Sequence, residues 1–179
     1  MKSAFELMAQ YNQEMNLQVY TAAQQLSQQQ LEQNRGAFFG SIFATLNHIL
    51  VGDTLWLQRF AAHPRGFGCL ADMSALPSPK ALDAIIHTDL SRLAAAREAM
   101  DKVIVAFTQQ LTEQDLQLNL TYLNSKGVAH CQLFGSLVLH FFNHQTHHRG
   151  QVSTMLSQQG IDLGVTDLLL HIPEAKKSP

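Results

Sequence analysis

Along the first part of the chain the apolar residues fall at every third or fourth position. Phe5, Met8, Tyr11, Met15, Tyr20, Ala23 and Leu26 recur near a 3.6-residue period, with glutamines on the other faces, which predicts one long amphipathic helix from Ser3 to about Gln33. The run Gln28-Gln29-Gln30 fits an exposed helix end built of good helix formers. After Gly36 a second helix is predicted from Phe38 to about Ala62, with Phe39, Phe43, Leu46, Leu50, Leu57 and Phe60 on one face. A further stripe on it reads Ser41, Thr45, His48, Gly52, Leu55; its small residues would admit a close neighbour around His48. Pro64, Gly66, Gly68, Pro77 and Pro79 exclude a continued helix and predict a loop of about 16 residues, long enough to be a lid or a pocket wall.

Ser78-Pro79 has the form of a helix start, and Leu82, Ile85, Ile86, Leu90, Leu93, Ala96, Met100, Val103, Ile104 and Phe107 carry a third helix to about Gln110. The period then changes to two: Leu116, Leu118, Leu120 and Tyr122 alternate with polar residues, Asn124-Ser125-Lys126-Gly127 supplies a turn, and Val128 to Gln132 returns as the second strand of a hairpin. From Leu133 to about Gln159 a fourth helix presents Leu137, Phe141, His144, His148, Val152 and Met155 on one face before Gly160 stops it. A short element at Asp167 to His171 precedes a polar tail over 173–179 that is expected to fray. The pattern predicts an all-α four-helix bundle with long connections and a small β-hairpin before the last long helix, as one domain over 1–172.

Composition narrows the classes of function. The chain of 179 residues is 46% hydrophobic, enough for a real core. A net charge of −2 without any basic run excludes the electrostatic footprint of a duplex-binding protein, so no nucleic-acid partner is expected. No apolar stretch approaches the roughly 20 residues that span a bilayer, and the two cysteines, Cys69 and Cys131, lie far apart without a C-x-x-C partner. The reading is a soluble, cytoplasmic protein with no membrane partner, its cysteines incidental packing residues.

Histidines change the picture, because four of the nine lie between His140 and His148. His144 and His148, four apart, stack on one helix face, in the apolar stripe, so both point inward. Buried imidazoles need partners, and a divalent metal would serve both; His48, the one large polar group in the second helix's small-residue stripe, is the third candidate ligand. Ordinary hydrogen-bonded core histidines are the competing reading. Three imidazoles suit zinc, nickel, copper and iron alike and leave positions for water or substrate. His140 and His147 flank the pair as supporting or surface groups, with His147 on the solvent side, and His63, His87, His130 and His171 have no partner spacing. His144-Gln145-Thr146-His147-His148 has the spacing of a zincin H-E-x-x-H, but Gln145 stands where the general base belongs, and an amide cannot take a proton from water. Glu14 and Asp53 are carboxylates that could enter the interior; Asp53, about 140° around the helix from His48, is a poor ligand to the same ion.

Thr45-Leu46-Asn47-His48-Ile49-Leu50 with Asp53 and Trp56, the segment YLNSKG from Tyr122 to Gly127, and FNHQTHHRGQV from Phe142 to Val152 together resemble the DinB, or damage-inducible, family over nearly the whole chain. The most specific parts are Asn47-His48 and the H-x-x-x-H followed by Arg149-Gly150-Gln151. The resemblance implies an antiparallel four-helix bundle of the DinB/YfiT-like type, commonly dimeric, with a divalent metal held by three histidines, here His48, His144 and His148. It also implies a superfamily that includes metal-dependent thiol transferases.

Two functional readings follow. In the first, a metal-dependent transferase or hydrolase holds zinc or nickel on the three histidines and activates a low-molecular-weight thiol or a water toward a small electrophile, in a pocket between the bundle and the loop Pro64 to Pro79. In the second, a stress-response protein uses the ion as a cross-link without turnover, or serves as a dimerisation module. Gly150 in mid-helix could allow close helix approach, and a homodimer is expected.

Overall fold

The computed structural model of the chain describes residues 1–175. In order its elements are α1 (Lys2–Ala23), α2 (Gln28–Glu32), α3 (Ile42–Ala61), a 3-10 segment (Gly68–Ala75), α4 (Leu90–Gln110), a 3-10 turn (Asp115–Gln117), β1 (Asn119–Leu123), β2 (Ala129–Leu133), α5 (Phe134–Ser157) and a last 3-10 turn (Leu168–His171). The protein is mostly helical with one two-stranded antiparallel sheet. Helix α1 packs against α4 and α5, and α3 packs against α5 and α4.

Side-chain caps, more than apolar period, set where α2, α3 and α4 begin. The single helix expected over Ser3 to Gln33 is in fact two. α2 starts afresh behind Ser27, whose hydroxyl accepts from the Gln30 N–H at 3.3 Å while the Gln30 side chain accepts from the Ser27 N–H at 2.9 Å. α3 starts at Ile42 instead of Phe38, because the Ser41 hydroxyl caps it by accepting from the Ala44 N–H at 3.1 Å, and Phe38 and Phe39 fall in the turn before it. α4 starts at Leu90 instead of Ser78-Pro79, with Asp89 as its cap.

Residues 80–88 are therefore an irregular strap, not helix, and Leu82, Ile85 and Ile86 are exposed. Its backbone is held by a side chain: Asn47 Oδ1 accepts from the Ile86 N–H at 3.0 Å and the His87 N–H at 3.1 Å. The hairpin forms where the alternation places it, pairing Tyr122 with His130. Its turn needs Gly127, at φ +74°, and Asn124 Oδ1 accepts from the Lys126 and Val128 N–H groups. Of the tail expected to fray over 173–179, residues 176–179 lie outside the described residues.

The interior has an apolar and a polar part. Near the C-terminal end of α3, Phe60 stacks on Phe107 at 5.5 Å between ring centroids and meets the edges of Phe134 and Phe141. Further along lies a ring of buried polar groups to which all four long helices contribute. Asn12 of α1 donates to Gln145 of α5; Gln145 Nε2 donates to Asp53 of α3 at 3.0 Å; Arg97 of α4 pairs with Asp53 and, at 2.9 Å, with Asp101; and Asn16 of α1 donates to Asp101 at 2.9 Å. Glu14, in contrast to the expectation of a carboxylate that might turn inward, stays exposed beside His171.

Burial pushes the Asp53 carboxyl up to about 6 against the pull of Arg97, and the two carboxylates hold Arg97 protonated. Removing the cation from this ring strands buried charge. Arg97→Met is expected to lower unfolding free energy by about 3–5 kcal/mol, whereas Lys102→Met, which breaks the exposed pair with Glu98, is expected to change it by less than about 1 kcal/mol, both read from urea titrations.

Candidate metal centre

His48 on α3 and His144 and His148 on α5 come together, with one ring nitrogen from each lying within 4.8 Å of the others. These are the three residues that spacing and resemblance single out. His48 Nε2 and His144 Nε2 face each other at 3.0 Å, close to the roughly 3.3 Å between two nitrogens on a tetrahedral ion with bonds of about 2.0–2.1 Å. Among the described residues this is the cluster of histidine, cysteine and acidic groups with metal-ligand spacing.

The outer hydrogen bonds decide which nitrogen carries the proton. His48 Nδ1–H donates to the Leu82 carbonyl at 2.7 Å, and His148 Nδ1–H donates to Gln151 Oε1 at 2.9 Å. In both rings the lone pair is therefore on Nε2, the tautomer a metal ligand needs, and in His48 that atom faces His144. Gln151 is fixed in turn by donating to His147 Nε2 at 3.3 Å. Phe39 stacks on His48 at 3.7 Å between ring centroids and meets His148 edge-on at 5.5 Å.

Helix approach is closest at Gly52. A Cβ there would lie 2.7 Å from His144 Cε1, so α5 can bring His144 to His48 only because position 52 has no side chain. His144 Nδ1 is buried without a hydrogen-bond partner among the described residues. Burial, reinforced by the neighbouring His148 and His48, drives the His144 pKa down to about 3, and burial also lowers His48 and His148. All three rings are neutral at pH 7, ready to coordinate.

Asp53 and Gln145 sit beside the cluster in sequence but turn away into the polar ring, both fully buried. Gln145 thus occupies the zincin glutamate position without facing the histidines. The loop Pro64 to Pro79 does not wall the cluster: it borders a separate cavity of about 420 Å³ with Gln58 and Ala61, and the segment that reaches His48 is the strap around Leu82. His140 is exposed, its ring 6.1 Å from that of His144, and His147 is exposed as expected. His63 is an ordinary core histidine packed on Phe134. In the Arg149-Gly150-Gln151 segment, Arg149 is buried over the Tyr11 ring at 5.4 Å, Gly150 is exposed, and Gln151 orients His148.

The hydrophobic pattern does not reveal Phe39, Gln151 and the Leu82 carbonyl. Gln151 carries a signal, three residues after His148 on the same helix face. A backbone carbonyl carries none.

Two outcomes follow from this geometry. Gly52→Ala, which ordinarily helps a helix by about 1 kcal/mol, is expected instead to destabilise by about 1–3 kcal/mol, because the new methyl displaces His144; urea unfolding reads the sign. The lowered histidine pKa values mean that the unfolded chain binds more protons than the folded one. Stability of the metal-free protein is therefore full above the ordinary value of 6.5 and falls as pH drops toward about 3, and His144→Gln should flatten that fall in a series of urea midpoints.

A profile of the DinB family matches residues 1–177. Protein DinB of Bacillus subtilis (strain 168) is 25% identical over 169 residues, covering 94% of this chain and 93% of that protein. No solved structure matches. No helix among the described residues is long and apolar enough to cross a membrane. With a profile that spans residues 1–177, almost the full chain, the protein belongs to the DinB family.

Proposed function

We propose that this protein is a metal-dependent enzyme in which His48, His144 and His148 hold a divalent ion, zinc or nickel, and leave coordination positions open to a small molecule. The observation that carries this reading is the protonation of the rings: Leu82 and Gln151 take the outer Nδ1 protons of His48 and His148, which leaves Nε2 of each as a neutral donor atom for an ion in a cluster whose ligand nitrogens lie within 4.8 Å of one another. Three neutral nitrogens, with no thiolate or carboxylate among them, fall short of the closed four-ligand set of a structural zinc site.

A cation held there lowers the pKa of a thiol or of water, which supplies a nucleophile for transfer to a small electrophile. The chain's own part is to orient and to exclude water. Asn47 and His48 together grip the 82–87 strap, and Phe39 covers His48 on one face. Gly52 gives His144 its place against α3. Gln145, committed to Asn12 and Asp53, leaves no protein base at the zincin position. A low-molecular-weight thiol is the co-substrate this reading takes, because a coordinated thiol loses its proton readily and three nitrogens leave it a position.

The same reading takes the four long helices, each touching two others, as an antiparallel four-helix bundle, one domain over 1–172. It further takes the protein as a cytoplasmic homodimer. Gly150, exposed in the middle of α5, is the position at which this reading places the close approach of a second copy.

Purified untagged protein is expected to carry one equivalent of metal, lost in His48→Ala and in His144→Ala. Gln151→Leu should weaken the affinity about 10–100-fold while the fold stays intact. A cobalt-substituted sample should change its visible spectrum on addition of a small thiol. Metal absent from the wild type after reconstitution would overturn the reading, and metal bound with no spectral response to thiol would favour a non-catalytic cross-link between α3 and α5.

A further inference from the structure

A second line of chemistry continues from the histidine cluster along α3. His48, Gly52, Trp56 and Arg59 follow at helical spacing and share one face; on α5, His148, His144 and His140 do the same. The two lines meet in order. Gly52 lies under His144, Trp56 meets His140 at 5.1 Å between ring centroids, and Arg59 lies beyond, its guanidinium carbon 4.6 Å from the centre of the Trp56 ring and 5.2 Å from that of Tyr122 on β1. His140 is exposed and Trp56, Arg59 and Tyr122 are half-buried, so solvent reaches the line.

Arg59 has no carboxylate within ion-pair distance among the described residues, whereas Arg65, Arg92 and Arg97 each have one. Nor does its side chain donate a hydrogen bond there to any other group. Two aromatic faces already meet at the guanidinium, which spares a ligand much of the entropy of ordering it. The cation is thus placed, partly dehydrated and unspent.

We propose that Arg59, seated in the corner between Trp56 and Tyr122, anchors the carboxylate of an elongated substrate whose reacting end lies at His48, His144 and His148. The inference rests on the metal-enzyme reading above and names the class of molecule it acts on. Seven residues of helix separate Gly52 from Arg59, about 10 Å. Gly52 lies under His144, and the ligand His48 is eleven residues from Arg59, about 16 Å, so the substrate or co-substrate carries its carboxylate about 10–16 Å from its reacting atom, with an apolar or flat middle that lies over Trp56 and His140. A planar carboxylate suits the guanidinium fork, which can give it two parallel N–H···O bonds.

Trp56 is the single tryptophan, so its fluorescence reports on this corner. The zinc-loaded full chain is titrated with 8-mercapto-octanoate, whose thiol and carboxylate sit at opposite ends of an extended eight-carbon chain, with its methyl ester and with 8-mercapto-octanol. The acid is expected to bind about tenfold or more tighter than the ester and the alcohol. Arg59→Met, which keeps the stem against Trp56, should reduce the acid to the alcohol's affinity while the cobalt spectrum still responds to the thiol end. Equal affinities of acid, ester and alcohol in the wild type, or an acid preference that survives Arg59→Met, would overturn the proposal.

The ester comparison needs no variant, so a poorly folding Arg59→Met leaves the test intact. Octanoate and octanol on the metal-free protein separate the two ideas. If octanoate alone perturbs Trp56 through Arg59 while cobalt never responds to thiol, the anion site stands and the metal-enzyme reading falls. If cobalt responds and the carboxylate makes no difference, the reverse holds.

Discussion

Arg97 is a buried cation between two buried carboxylates, and the rest of the molecule is arranged to make that tolerable. Charges taken out of water are costly unless opposite charges and hydrogen bonds are close by. Here the partners come from all four long helices: Asp53 from α3, Asp101 from α4 itself, Asn16 from α1, and Gln145 with Asn12 from α5 and α1. Apolar packing would accept many sliding positions of one helix on another. The ring accepts few, because a shift of one turn breaks several short polar contacts at once.

That constraint passes directly to the histidines. Gln145 follows His144 in sequence and Asp53 follows Gly52, so the Gln145 to Asp53 hydrogen bond fixes the same α3 to α5 register that seats His144 against Gly52. One face of this helix pair is locked by polar contacts, and the other presents nitrogens. The strap adds the second fixed point, since Asn47 holds its backbone and Leu82 returns a carbonyl to His48. Positioning by rigid elements and outer hydrogen bonds is what a coordination site needs in advance of its ion.

The long apolar periods, the hairpin's alternation with its Asn124 to Gly127 turn, and the histidine spacing were all legible in the sequence, because each is a local repeat that survives folding unchanged. Helix starts were less so. Continuing apolar period hid the Ser27 capping box, and Ser78-Pro79 has the form of a helix start although Asn47 draws residues 86 and 87 out of helical geometry and Asp89 is the cap. The polar ring was hidden for a different reason. Asn12, Asn16 and Arg97 read as the solvent face of amphipathic helices, and only their convergence from separate helices makes them interior. Leu82 contributes a carbonyl, which every residue has, so its role could not be read from its identity.

Gln145 carries one more implication, for what this sequence can become. Its amide gives a hydrogen to Asp53 and takes one from Asn12, both in a fully buried place. A glutamine codon is one nucleotide from a glutamate codon, so the H-E-x-x-H signature of a hydrolase is a short genetic step away. Glutamate at 145, however, would set a second carboxyl against the buried Asp53, so that one of the two must hold a proton and the residue could not serve as a free base. The path to hydrolase chemistry that looks shortest in the genome is closed by the interior of the fold.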